Sequence, residues 1–323
     1  MSIALLRNLC LLVFLGACAS SAKNNKPIVI SNEVDNGSLA LPMIASDQTP
    51  KSLMDLPQSQ DGGFVLAPGF YEAEFKTYCL QPGTPDPSQG DAYLQGPVTG
   101  YRKDIVESVL LNSREKPELE QRNIQLLLWS VVSGSNFDKL SQPVQADAMK
   151  LLTAKQVFTL KGGVAGLVKT VANSTKVFNA DNSMQRLFEK GITSYESFER
   201  LAVLKEPSQI KRKDVKYDQW YKQKENYYVR YFPVSYKKVR IQVYVPDDLL
   251  DTHGKVNDEY IVFDPTGQQA IPAFTNAQRL GIGAPVLEII RAIIQVNKRS
   301  DQPKKLPGKK ISKTPSAIAD ARP

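Results

Sequence analysis

The sequence predicts an α+β fold, in which short strands and a mainly helical region are followed by a smaller β-rich region with a C-terminal helix. Three patterns carry that prediction. Between residues 64 and 99, glycine and proline alternate with Phe64, Phe70, Tyr71, Phe75, Tyr78 and Tyr93, the composition of short strands joined by turns. From Lys103 the apolar residues recur at helical spacing: Ile105, Val106, Val109 and Leu110 make one stripe, and Ile124, Leu127, Leu128, Val131 and Val132 make a second at i, i+3, i+4, i+7 and i+8. After Pro207 the period falls to two, and Val239, Ile241, Val243 and Val245 alternate with Arg240, Gln242 and Tyr244, as on a sheet with one buried face.

In chain order, residues 1–17 carry Arg7, the apolar run Leu9 to Leu15 and then small residues, the pattern of an export signal and short for a membrane span. Residues 18–62 are rich in Ser, Asn, Asp, Gln and Pro, and are expected to form a flexible tether. The region 63–204 should hold a strand over 71–80 and then helices, one of them starting where Ser141 and Pro143 supply a cap and a first-turn proline. The region 205–297 should hold strands over 227–232, 239–245 and 260–263 and an amphipathic helix over 286–296. Residues 298–323 are rich in Pro and Lys and are expected to be a disordered basic tail.

The formal charge of +8 raises nucleic acid as a partner until the charge is located. In 298–323, Lys298, Arg299, Lys304, Lys305, Lys309, Lys310, Lys313 and Arg322 stand against Asp301 and Asp320. Most of the excess therefore lies in the tail, and the body keeps too little to track phosphates by charge alone. A single histidine, His253, excludes multi-histidine zinc sites and leaves no residue set for a general hydrolase. Neither a cofactor nor a metal is expected. The acidic residues Asp247, Asp248, Asp251, Asp258, Glu259 and Asp264 lack the twelve-residue calcium-loop spacing and read as a solvated loop.

Leu15, Gly16, Ala17 and Cys18 resemble the bacterial lipobox, in which a peptidase cleaves before a cysteine whose sulfur carries diacylglycerol. The resemblance implies a lipoprotein that starts at Cys18 and is held on a membrane by palmitate-like acyl chains without spanning it. Ala19 then implies the outer membrane, if the envelope is Gram-negative. With Cys10 removed and Cys18 lipidated, no second cysteine remains for Cys79 to join in a disulfide in an oxidising compartment. Cys79 is then either a small apolar side chain of the core or a sulfur kept for another bond.

The stretch Tyr78, Cys79, Leu80 runs into a turn rich in Pro82, Gly83, Pro85, Pro87 and Gly90, then Tyr93, a helix around 105–111, and Ile124, Gln125, Leu126, Leu127, Leu128, Trp129. This order resembles the thioester domains of bacterial surface adhesins. The resemblance implies that Cys79 and Gln125 form an internal thioester flanked by Tyr78 and Trp129; Ile124 stands where the family carries threonine. In such a bond a cysteine sulfur replaces the ammonia of a glutamine carboxamide, and an amine can later open it to a stable amide. The expected role is adhesion or covalent attachment at the cell surface.

A second expectation places a non-catalytic envelope module here, binding glycan or a protein partner through a basic aromatic surface with Lys211, Arg212, Lys213, Trp220 and Tyr221 at its centre.

Overall fold

The computed structural model describes residues 48–88, 90–100, 102–162, 180–209, 220–273, 275–286 and 293–294. It is a mixed α+β protein, with six helices among the described residues packed on a six-stranded antiparallel β-barrel and with small sheets at its margins.

The barrel is built on β4 (Gly69–Cys79), an eleven-residue strand whose odd-numbered residues from Tyr71 to Cys79 are buried. Short strands precede it: β1 (Lys51–Ser52), β2 (Gln58–Ser59) and β3 (Phe64–Val65); β5 (Thr84–Pro85) and β6 (Tyr93–Gly96) follow. The later chain supplies β7 (Val203–Leu204), β8 (Tyr221–Lys222), β9 (Tyr228–Ser235), β10 (Lys238–Val245), β11 (Val262–Phe263), β12 (Gln269–Pro272), β13 (Leu280–Pro285) and β14 (Ile293–Ile294). Around the barrel the order is β4, β10, β9, β6, β12, β13 and back to β4. Closure leaves no open barrel edge. The alternation expected in β10 is realised: Val239, Ile241, Val243 and Val245 are all fully buried, each stabilising the fold by roughly 1.5–3 kcal/mol relative to exposure.

The helices are α1 (Lys103–Asn112), α2 (Gln121–Ser133), α3 (Gln142–Leu151), α4 (Ala154–Leu160), α5 (Ala180–Glu189) and α6 (Tyr195–Ala202). Ser141 takes the N-cap position of α3 with Pro143 in its first turn, as expected, and Thr153 with Gln156 closes a capping box on α4. Helix α2 is the centre of this layer. Nine of its thirteen residues, Ile124 through Val131 and Ser133, are buried, so it is covered on nearly all sides instead of along one stripe. It ends at Gly134, whose φ of 75° is the left-handed conformation that terminates helices without a Cβ penalty.

Three expectations need correction. The strands of 205–297 do not stand apart from 63–204: β9, β10, β12 and β13 complete the barrel that β4 and β6 begin, and one hydrophobic core joins both stretches. Strand pairing is non-local, so a change in composition along the chain did not mark a boundary in space. The end of the tether also folds: β1 pairs in parallel with β4, and Leu53, Met54 and Leu56 enter the core. Finally, Ile293–Ile294, placed within an amphipathic helix, form a parallel strand against Gln58–Ser59. The signal, the tether up to residue 47, Cys18 and the basic tail lie outside the described residues.

Candidate functional site

Strand β4 pairs with β10 from Gly69 to Lys76, and Thr77 N–H still reaches the Lys237 carbonyl (2.9 Å) before the β9–β10 hairpin turns away. Backbone groups of one strand point to the same side at every second residue. Cys79 therefore presents its N–H and C=O where a neighbouring strand has just ended. The Gln125 side chain of α2 fills that place. Its Oε1 accepts from Cys79 N–H at 2.8 Å and its Nε2 donates to the Cys79 carbonyl at 3.0 Å.

Cys79 is fully buried and Gln125 is 1% exposed. Two residues 46 apart in sequence are thus held side by side away from water. The carboxamide acts as a stand-in for a strand peptide and satisfies two backbone groups that burial would otherwise leave costly. On the other edge of β4, Leu280 of β13 is the register partner of Cys79.

Tyr78 points to the opposite face of β4 and is buried, which pushes its hydroxyl pKa far above the ordinary value. Its ring lies over Gly283 of β13, where a Cβ would stand 2.7 Å from Tyr78 Cε2. Trp129, one turn beyond Gln125, is fully buried and lies against Tyr195 and Tyr236, with ring centroids 5.5 and 6.4 Å away.

Those two tyrosines belong to a directed hydroxyl chain. Tyr236 donates to Glu199 and accepts from Tyr195 at 2.7 Å. Burial pushes the Tyr195 hydroxyl up to about 12 and that of Tyr236 further still. Burial also raises the Glu199 carboxyl, but donors from Tyr236 and Lys237 outweigh it and hold that group below its ordinary range. Lys237 reaches Glu199 at 2.9 Å, over the rings of Tyr195 and Tyr236. Cys79 lies within electrostatic reach of the Tyr195 and Tyr93 hydroxyls, the latter donating to the Gln278 carbonyl at 2.7 Å.

Of the residues named from the sequence, Gln125 lies against Cys79, Trp129 sits one helical turn beyond Gln125, and Tyr78 is turned to the other face of β4. The sequence reading missed Tyr195, Glu199 and Tyr236, which sit on α6 and the β9–β10 turn and carry no local signal. It also missed Gln121, although the spacing of four from Gln125 puts both on one helix face.

Of the basic aromatic surface, Trp220 and Tyr221 are described, and both are buried, at 6% and 3% exposure. Trp220 packs edge-on against Phe70 and Tyr244, and the Arg230 guanidinium covers its ring at 4.3 Å. Its apolar faces are spent on the barrel wall, so it offers no platform for a sugar. Lys211, Arg212 and Lys213 lie outside the described residues. His253 is exposed, and among the described residues no group of three or more His, Cys, Asp or Glu is placed to hold a metal ion.

No protein-family model, curated protein or solved structure matches the chain. The site therefore rests on its own geometry.

Proposed function

We propose that this chain is a lipid-anchored envelope or surface protein whose Cys79 and Gln125 close an internal thioester that captures amines, in the manner of an adhesin. The observation that carries the reading is the pair of hydrogen bonds by which the Gln125 carboxamide clasps the Cys79 peptide in a buried setting. The resemblance of the 78–129 stretch to thioester domains supports it from the sequence side.

Sγ of Cys79 attacks Cδ of Gln125, the thiol proton passes to Nε2, the Cδ–Nε2 bond breaks and ammonia leaves. The Cys79 N–H, donating to Oε1, is placed to stabilise the charge that builds on that oxygen in the tetrahedral intermediate. Holding sulfur and carboxamide side by side lowers the entropic part of the barrier, and burial keeps water from hydrolysing the product. A primary amine then attacks Cδ, the C–S bond breaks, the amine proton returns to sulfur, and an amide to the partner remains. Because both residues are buried, the amine reaches Cδ only after covering side chains move.

Intact mass tests this. The full chain carrying Cys18→Ser should weigh one ammonia less than its sequence requires, methylamine should add its whole mass, and Cys79→Ala should abolish both changes. A wild-type chain of unmodified mass with an alkylatable Cys79 would end the proposal. The anchor is tested separately: labelled palmitate should enter the natural chain and be lost in Cys18→Ser, and equal labelling of the two would remove the lipobox reading.

A further inference from the structure

Gln121 opens α2, four residues before Gln125. Its Nε2 donates to the Thr77 carbonyl at 3.0 Å and to the Lys237 carbonyl at 2.8 Å, so both donor hydrogens of the amide are used. The two glutamines thus repeat one device. Gln121 meets β4 at Thr77 and Gln125 meets it at Cys79, in the same chain direction. Four residues of helix advance about 6 Å and two residues of strand about 6.8 Å. The spacings nearly match, so helix and strand are locked in register at two successive points.

We infer that Gln121 is a positioning residue for the Cys79–Gln125 reaction, fixing the axial register of α2 on β4 so that the Gln125 carboxamide stays beside Cys79. The inference rests on the thioester reading and adds to it. One clasp at Gln125 alone lets the helix pivot or slide about that point, and the second removes this freedom. It also ties the β9–β10 turn to the same place, since Lys237 follows Tyr236. Attack on a carboxamide is sensitive to small displacements: an error near 1 Å can cost on the order of 10²-fold in rate. Gln121 does not touch the reacting atoms and takes no proton. Its contribution is to the population of chains in which sulfur and Cδ are within reach.

The test compares the full chain carrying Cys18→Ser with the same chain bearing Gln121→Met, Gln121→Glu or Gln121→Lys. Two quantities are read. One is the fraction of chains that have ever lost ammonia, counting intact thioester together with its hydrolysis product, glutamate at position 125. The other is the thermal unfolding midpoint.

Met fills the space without donating, Glu presents oxygen to two carbonyl oxygens, and Lys restores a donor on a side chain that is only partly buried. Met and Glu should lower the midpoint somewhat, since the Thr77 carbonyl loses its donor, yet the chains that remain folded should form the bond about tenfold more slowly, and Lys should recover most of the rate. A merely structural Gln121 would lower the midpoint and leave the ammonia loss of the folded chains intact, which overturns the inference. So does a folded Lys chain as slow as Met. If Met fails to fold, the Glu and Lys chains decide by the same comparison. A wild-type chain that never loses ammonia rejects the thioester itself, a result distinct from a wild type that loses it and a Gln121→Met chain that loses it equally fast.

Discussion

At the scale of single residues, the Gln125 carboxamide has two roles that experiment can separate. One is chemical, as the acyl partner of Cys79. The other is structural, as the donor and acceptor that complete the end of β4. In a Cys79→Ala background, where no thioester can form, Gln125→Leu should still lower the unfolding free energy by roughly 2–4 kcal/mol, because a buried N–H and a buried C=O lose their partners together. Urea unfolding measures this, and an unchanged midpoint would mean that the clasp contributes nothing to the fold. Cys79 stood out in the sequence because reading residues 1–17 as a signal and Cys18 as lipidated left it without a second cysteine to pair with. Gln125 was legible only through the family pattern, since a glutamine inside an apolar helical stripe has by itself many structural explanations. Trp220 and Tyr221 were misread for the opposite reason: aromatic residues among basic ones look the same in sequence whether they face solvent or are capped by a neighbouring arginine.

At the scale of elements, α6 is held at both ends. Tyr195 and Glu199 bond the Tyr236 hydroxyl near its start, and the Ala202 carbonyl accepts from Gly83 and Gln278 at its close. It covers Trp129 through Tyr195, so its attachment should depend on acid. The Glu199 carboxyl is depressed in the folded chain, so the stability it adds is complete above the ordinary glutamate range and is lost as pH falls through the lowered value. In a Trp220→Phe chain, Trp129 emission should shift to the red as the solution is acidified through that window. Tyr236→Phe removes a donor to Glu199 and should move the transition upward, toward the ordinary glutamate range. Identical acid midpoints with and without the Tyr236 hydroxyl would detach α6 from this carboxyl. Helices α1 and α2 and strand β10 were readable because their apolar residues recur at one period, α3 from Ser141 and Pro143 at its start, and β4 from aromatic residues between glycine and proline turns. The pairing of α6 with the β9–β10 turn was not, because hydroxyl chains leave no periodic trace.

At the scale of the whole molecule, the barrel is shared between the two halves of the chain. β4 and β6 come from one and β9, β10, β12 and β13 from the other. A fragment ending at residue 204 would expose both flanks of β4 and the apolar faces of the helices that cover it. It should therefore lack a cooperative thermal transition, whereas a chain from residue 48 through 297 should show one; circular dichroism on both fragments distinguishes them, and a cooperatively folded short fragment would refute the shared barrel. The sequence by itself determined the mixed α and β character and the placement of most of the long strands and helices, because periodicity and residue chemistry are local properties, while the pair Cys79 and Gln125 came from the family resemblance. Only the tertiary structure decided that the two regions form one barrel, that the end of the tether enters the core, and that Gln125 lies along the Cys79 peptide with Gln121 one step behind it. Those outcomes depend on which backbone groups are left without a strand partner once the barrel closes, and contacts between distant segments settle that.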